Sequence, residues 1–127
     1  MNLLIVDDSE LMRTIVEQTV RENLGHALDK VQFFHAANGA DAMEIMQTNT
    51  VALIFLDWNM PVLDGIDFVR EVRGSGNKVP IIMITSVTDS EKILQAAAVG
   101  VNSYIEKPVR GPKLWNQIEM FFKNAGF

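Results

Sequence analysis

The sequence predicts an α/β fold, a doubly wound parallel sheet of five strands with five helices covering it. Short apolar segments alternate five times with segments whose apolar residues recur at helical spacing. The first, third and fourth apolar segments are almost continuously apolar, as expected of strands that are buried on both faces. Acidic, hydroxyl or basic residues directly follow four of the five segments, where sheets of this kind form their sites.

Five apolar segments are short enough to be strands. In chain order they are Asn2 to Val6, Val31 to His35, Val51 to Leu56, Pro80 to Ile84 and Ser103 to Ile105. Parallel strands need a crossover between them, and such crossovers are almost always right-handed. A helix is therefore expected after each strand.

Apolar residues three or four positions apart predict those five helices. They are Met12, Ile15, Val16, Thr19, Val20 and Leu24 in the first, Ala42, Met43 and Met46 in the second, Ile66, Val69 and Val72 in the third, Ile93, Leu94 and Ala97 in the fourth, and Leu114, Ile118, Phe121 and Phe122 in the fifth. Asp64-Gly65 marks the start of the third helix, Gly100 ends the fourth, and Pro112 suits the first turn of the fifth.

Length and composition set limits on the class of protein. The 127 residues are 48% hydrophobic and 21% charged, which predicts a single globular domain over residues 1–127 without an output domain. There is no cysteine, so disulfides and thiolate metal sites are excluded. The formal net charge of −5 disfavours nucleic acid as a partner, and no apolar run is long enough to span a membrane. A cytoplasmic protein is expected.

Polar residues at the ends of the predicted strands form the candidate site. Asp7 and Asp8 follow the first strand, Asp57 the third, Thr85 the fourth and Lys107 the fifth. Taken singly, these residues are ordinary, since an acid or hydroxyl before a helix is usually a cap and a lone lysine is usually solvated. Their joint placement at the carboxyl ends of different strands predicts one shared cleft.

Three carboxylates in one cleft repel each other, and a hard cation removes that conflict. Magnesium prefers a few carboxylates together with water and phosphate oxygens. Asp8, Asp57 and a backbone carbonyl near Asn59 could be its ligands, and Asp7 could hold a coordinated water. Asp57 could then attack phosphorus to form an aspartyl phosphate. Lys107 would supply positive charge, and the Thr85 hydroxyl could donate a hydrogen bond to a phosphoryl oxygen.

The same residues carry a family resemblance over the full chain. The motifs are Asp7-Asp8, Asp57 followed by Trp58-Asn59-Met60-Pro61, Asp64-Gly65, Thr85, and Lys107-Pro108. Together they resemble the bacterial response-regulator receiver domain, in particular the CheY-like single-domain response regulators.

The resemblance implies a fold and a mechanism. The strand order would be 2-1-3-4-5, the flavodoxin-like order for which CheY is itself a standard example. Asp57 would accept phosphate from a histidine kinase, with Asp7 and Asp8 at a Mg²⁺ ion and Thr85 and Lys107 at the phosphoryl group. The Lys107-Pro108 bond would be cis.

The resemblance also implies that phosphorylation changes a surface of the domain that binds another protein. Thr85 and Tyr104 would be its switch residues, and a downstream protein would bind the face formed by helix four, strand five and helix five. The chain would be a monomer or weak dimer in a two-component phosphorelay, with chemotaxis as one candidate pathway. It would assist only its own phosphorylation and dephosphorylation rather than act as an enzyme.

Four alternative functions share part of this pattern. A stand-alone phosphorelay carrier unrelated to chemotaxis would share every motif. A flavodoxin-like cofactor domain would need a phosphate-binding loop after the first strand, where Asp7 and Asp8 would repel phosphate. An aspartyl phosphohydrolase would place its nucleophile in an Asp-x-Asp motif on that strand, which is absent. A degenerate receiver would lack part of the acid, hydroxyl and lysine set, which is intact here.

Overall fold

Five strands and five helices alternate along the chain in a computed structural model that describes residues 1–127. The strands are β1 (Asn2–Val6), β2 (Gln32–Ala36), β3 (Leu53–Leu56), β4 (Ile81–Thr85) and β5 (Ser103–Glu106). The helices are α1 (Glu10–Leu24), α2 (Gly39–Thr48), α3 (Gly65–Gly74), α4 (Ser90–Val99) and α5 (Pro112–Asn124). The strands form one parallel sheet in the order β2-β1-β3-β4-β5, which confirms the predicted fold class and strand order.

Each face of the sheet has its own apolar core. Leu4 and Val6 of β1 point into a cluster that includes residues of α2, α3 and α4. The alternate residues Leu3 and Ile5 point into a second cluster, which includes residues of α1 and α5. Because side chains alternate across a strand, a strand that is covered on both faces must be apolar at every position. This requirement explains the unbroken apolar runs in the sequence.

Short polar side chains start four of the helices and thereby shape the loops at the carboxyl end of the sheet. The side chains of Ser9, Asn38, Asp64 and Asp89 accept hydrogen bonds from backbone N–H groups in the first turns of α1, α2, α3 and α4. Such caps satisfy N–H groups that have no partner inside the helix. The predicted positions of Gly100 after α4 and Pro112 in the first turn of α5 are confirmed.

The bounds of four strands differ from the sequence prediction. β2 extends from Gln32 to Ala36 rather than from Val31 to His35, and β5 ends at Glu106 rather than at Ile105. β3 begins at Leu53 rather than Val51. β4 extends from Ile81 to Thr85 rather than from Pro80 to Ile84. Proline has no N–H group for the sheet, so Pro80 contributes only its carbonyl, which accepts a hydrogen bond from Ile54 at 3.0 Å. A 3₁₀ helix over Gly25–Lys30 was not predicted, because its residues are too few to show an apolar period.

None of the helices combines the length and the apolar character that crossing a bilayer requires.

Candidate functional site

Three carboxylates meet at the carboxyl ends of β1 and β3. The two strands are neighbours and Val6 pairs with Leu56, so the residues that follow them lie side by side. One carboxylate oxygen from each of Asp7, Asp8 and Asp57 lies within 4.8 Å of the other two. Asp7 and Asp57 are buried, whereas Asp8 is exposed. The structure thus brings together the three acids that the sequence placed at one edge.

Lys107 reaches this acidic cluster from the end of β5. Its Nζ atom lies 2.9 Å from Oδ2 of Asp7 and 3.4 Å from Oδ2 of Asp57. Its backbone N–H donates to the carbonyl of Thr85 at 2.9 Å, which fixes the lysine against the end of β4. The Lys107-Pro108 peptide bond is cis, as the resemblance implied. The structure thus places the Lys107 ammonium beside two of the three acids.

Burial and charge act in opposite directions on these groups. Burial raises the pKa of Asp7 above its ordinary value, and the hydrogen bonds from Lys107 and Ser9 offset this only in part. Burial would lower the pKa of Lys107, but the hydrogen bond to Asp7 and the charge of Asp57 outweigh it and the pKa is raised. Lys107 is therefore a cation throughout the physiological range, and Asp7 is a carboxyl group whose ionised form is disfavoured without a further cation.

Asp57 forms hydrogen bonds with the backbone on both sides of the strand end, and the start of α3 packs closely against it. The N–H group of Asp57 donates to the carbonyl of Val6 at 2.9 Å, and the N–H group of Trp58 donates to Oδ1 of Asp57 at 2.7 Å. The N–H group of Gly65 donates to the carbonyl of Trp58 at 2.8 Å. A Cβ atom on Gly65 would lie 2.3 Å from the carbonyl oxygen of Asp57, so only glycine fits where α3 begins.

Thr85 and Tyr104 both contact the loop after β4. Thr85 is fully buried as the last residue of β4, and its Oγ1 atom accepts a hydrogen bond from the N–H group of Val87 at 3.3 Å. The Tyr104 hydroxyl donates to the carbonyl of the same Val87. Burial, then the charges of Asp57 and Glu106, raise the pKa of Tyr104. In this state both side chains are engaged by the loop rather than by the acidic cluster.

The acid cluster has the chemistry of a magnesium site. It offers carboxylate oxygens, which magnesium prefers, and one of its buried acids is disfavoured as an anion in the absence of a cation. Asp7, Asp8 and Asp57 fit a divalent ion on these grounds. Asn59 lies exposed in the loop two residues after Asp57, and its carbonyl stays a predicted ligand.

Arg13 of α1 is a site neighbour that the sequence analysis did not single out. Its Nη1 atom donates to the backbone carbonyl of Asp7. A signal for it exists in the sequence, because Arg13 lies four residues after Ser9, about one helical turn beyond the start of α1. Sequence spacing alone does not show that the side chain folds back toward the acids.

The comparisons with known proteins agree with this fold and site. The profile described as "Response regulator receiver domain" matches residues 3–119 of the chain. This chain belongs to the response-regulator receiver domain family. The function predicted from the sequence, a phosphoacceptor response regulator of two-component signal transduction, is thereby confirmed at the level of the family.

Relatives of similar length match almost the whole chain. Chemotaxis protein CheY1 of Helicobacter pylori is 36% identical over 123 residues, which cover 94% of this chain and 95% of the relative. Chemotaxis protein CheY of Pseudomonas aeruginosa is 33% identical over 127 residues, 98% of both chains. Among solved structures, chemotaxis response regulator CheY4 of Vibrio cholerae has a TM-score of 0.81 at 30% identity, covering 94% of this chain and 97% of that one.

Proposed function

We propose that Asp57 is the phosphoacceptor of this receiver domain and that Mg²⁺ binds beside it at Asp7 and Asp8, with the Asn59 carbonyl as a further ligand. The observation that carries the proposal is the placement of Lys107, 3.4 Å from Oδ2 of Asp57 and 2.9 Å from Oδ2 of Asp7. A single lysine at two buried carboxylates leaves excess negative charge, which favours a divalent cation.

The proposed step is a simple exchange of bonds. An Asp57 carboxylate oxygen attacks the phosphorus of the donor, the P–O bond to Asp57 forms, and the P–N bond of the kinase's phosphohistidine breaks, leaving neutral histidine once that nitrogen is protonated. The bound metal would neutralise charge on the phosphoryl oxygens. Lys107 already lies within 3.4 Å of the attacking carboxylate, so its ammonium needs little movement to contact a phosphoryl oxygen.

The contacts of the two Asp57 carboxylate oxygens support its proposed role as the attacking group. The Trp58 N–H group holds Oδ1 at 2.7 Å, while Oδ2 faces the Lys107 ammonium. This difference between the two oxygens supports a fixed orientation of the carboxylate, which favours a reaction that depends mostly on positioning.

Thr85 and Tyr104 are the proposed switch residues. Both are tied to Val87 in the loop before α4, through the Thr85 hydroxyl oxygen and the Tyr104 hydroxyl group. A phosphoryl group on Asp57 would offer Thr85 a stronger acceptor for its hydroxyl than any group it now contacts. Movement of Thr85 would break its hydrogen bond with the N–H group of Val87 in this loop. The positions of α4 and Tyr104 would then shift between two packings.

The proposed readout is a downstream protein that binds the face formed by α4, β5 and α5. Leu94 on α4 is 70% exposed, and Glu106 of β5 is exposed as well. The names of the similar proteins favour a role in chemotaxis over that of a relay carrier unrelated to it. We further propose that the chain acts as a single domain in the cytoplasm, with its own phosphorylation and dephosphorylation as its only chemistry.

Incubation with acetyl phosphate and MgCl₂ tests this proposal. We expect one phosphoryl group per chain that is stable in acid and labile in base, and no incorporation in EDTA. Asp57→Asn should abolish incorporation, whereas Asp67→Asn should not, because the exposed Asp67 on α3 pairs with Arg70 and is not a member of the acidic cluster. Wild-type protein that stays unmodified with excess donor and metal would overturn the proposal.

A further inference from the structure

Every polar group of Asp7 is held by a different part of the chain. Its N–H group donates to the carbonyl of Ala36 at 3.1 Å. Its Oδ1 atom accepts from the N–H group of Ser9 at 2.9 Å, and its Oδ2 atom accepts from Lys107 at 2.9 Å. Its backbone carbonyl accepts from Nη1 of Arg13. Three of these four contacts belong to the sheet, the turn or the lysine already described, and the fourth belongs to a side chain without an assigned role.

The Arg13 guanidinium is in an unfavourable environment. It takes part in none of the six ion pairs of the chain. Its Nε atom is buried without a hydrogen-bond partner, and it is the only buried side-chain nitrogen or oxygen of which this is true. A buried donor that lacks an acceptor is destabilising, so stability alone does not explain why an arginine lies here.

The contact that Arg13 does make is with the backbone of the acidic pair. The carbonyl of Asp7 belongs to the planar peptide unit that joins Asp7 to Asp8. A donor that fixes this carbonyl also fixes the direction in which the Asp8 backbone leaves the turn. Asp8 is the exposed member of the three carboxylates, so neighbouring side chains restrain it less than they restrain Asp7 or Asp57.

We infer that Arg13 is a positioning residue of the acidic site, which holds the Asp7–Asp8 peptide plane so that the Asp8 carboxylate meets those of Asp7 and Asp57. Side chains of a helix lean toward its N-terminus, and Arg13 uses this direction to reach back over the first turn of α1. The planar guanidinium suits the task, since it keeps its charge and its donors in a fixed arrangement.

A purely electrostatic role for Arg13 predicts the opposite effect on metal binding. If the guanidinium only neutralised the carboxylates, its removal would increase their attraction for a divalent cation. If it positions Asp8, its removal loosens one ligand and weakens metal binding. The direction of the change therefore separates the two roles. The metal-binding readout rests on the proposed function, and a second readout below does not.

Magnesium titration of Trp58 fluorescence, in a Trp115→Phe background, is the first test. Loss of a group that orients metal ligands typically weakens affinity, and we expect Arg13→Met to raise the Kd for Mg²⁺ about tenfold. Arg13→Lys should recover most of the affinity, because an ammonium can also donate to the Asp7 carbonyl.

Arg21→Met is the matched control on the same helix, where Arg21 pairs with Glu17, and should leave the Kd unchanged. An Arg13→Met protein that binds Mg²⁺ as tightly as wild type, or more tightly, would overturn the inference.

Amide hydrogen exchange in EDTA is the second test, and it needs neither metal nor phosphate. The Ser9 N–H group donates to Oδ1 of Asp7, so its exchange reports on the turn. Arg13→Met should speed exchange at Ser9 about fivefold, as expected from loss of one hydrogen bond, without changing β4. Unchanged exchange at Ser9, or equal acceleration throughout β4, would contradict a local positioning role. If the wild-type protein fails to bind Mg²⁺, the proposed function fails in its metal part while this measurement still decides the role of Arg13.

Discussion

The Nζ atom of Lys107 lies 2.9 Å from Oδ2 of Asp7, and this contact joins residues that are 100 positions apart in the sequence. It connects the end of β5 to the end of β1, across the two intervening strands of the sheet. Asp57 lies within reach of the same ammonium at 3.4 Å. One cation is thus shared by two buried carboxylates, and several properties of the protein depend on this sharing.

Replacement of Lys107 by methionine should separate metal binding from phosphoryl transfer. Loss of the ammonium leaves two buried carboxylates close together, so we expect the unfolding free energy in EDTA at neutral pH to fall by about 1–3 kcal/mol. Mg²⁺ should bind at least as tightly as in wild type, because a competing cation has gone. Phosphorylation by acetyl phosphate should slow by about 100-fold, since a donor to the developing charge is missing.

Lys123→Met is the control for that prediction. Lys123 lies on α5, where its 3.9 Å ion pair with Glu119 is largely exposed, and its replacement should change neither stability nor rate. Phosphorylation of Lys107→Met at the wild-type rate would contradict the role given to the ammonium.

The elevated pKa of Asp7 predicts how stability depends on pH without metal. Burial raises this pKa above the ordinary value of 3.8, so the folded state binds the proton more tightly than the unfolded state does. The resulting stabilisation is complete below the unfolded pKa and is lost as pH rises through the folded pKa. Urea unfolding in EDTA from pH 3 upward should therefore show a decline for wild type relative to Asp7→Asn.

A second titrating group, Glu17, and the binding of Mg²⁺ also affect stability in that experiment. Burial would raise the pKa of Glu17, but hydrogen bonds from His35 and Arg21 lower it, so Glu17 contributes stability that is lost as pH falls. This opposite slope is common to both proteins and cancels in the difference. Mg²⁺ at 100 times its Kd should restore about 2.7 kcal/mol to wild type at neutral pH. Parallel pH curves for the two proteins in EDTA would count against the raised pKa of Asp7.

Two glycines of α3 should respond differently to alanine. A Cβ atom on Gly65 would lie 2.3 Å from the carbonyl oxygen of Asp57, so Gly65→Ala should lower the unfolding free energy by about 1–3 kcal/mol and slow phosphorylation. A Cβ atom on Gly74, at the other end of the helix, would have no atom within 4 Å, so Gly74→Ala should be neutral or stabilising by up to about 1 kcal/mol. Equal stability of the two variants would show that the backbone at Asp57 is not tightly packed against α3.

Val62 in the β3–α3 loop should gain stability when it is replaced by asparagine. Its φ of 58° lies in the left-handed region, which is unfavourable for a β-branched residue and tolerated by asparagine. The side chain is 68% exposed, so little packing is lost. Thermal or urea unfolding should show a gain of about 1 kcal/mol for Val62→Asn. Val62→Thr keeps the β-branch and should show no gain; a gain equal to that of asparagine would argue against backbone strain.

Parts of the fold could be predicted from the sequence where a residue pattern is typical of only one kind of structure. The apolar runs that form β1 and β4 revealed a sheet covered on both faces, and Asp64-Gly65 revealed the start of α3. The acids and the lysine could be placed at one edge because the carboxyl ends of parallel strands share it.

Other features depend on three-dimensional detail that no residue pattern encodes. The hydrogen bond between Arg13 and the Asp7 carbonyl needs a particular side-chain path over the first turn of α1. The left-handed conformation of Val62 is hidden because valine normally avoids it. The hydrogen bond between Val87 and Thr85 depends on the path of the loop after β4, which the residue types in that loop do not specify.

Identification of the phosphorylated residue tests the central claim most directly. Protein incubated with acetyl phosphate and Mg²⁺ is reduced with borohydride, which converts an aspartyl phosphate to homoserine, and the site is located by peptide mass spectrometry. The account predicts conversion at Asp57 alone, with Asp7 and Asp8 unaltered. Conversion at either of those two acids, or none at any residue while Mg²⁺ binding is demonstrated, would contradict it.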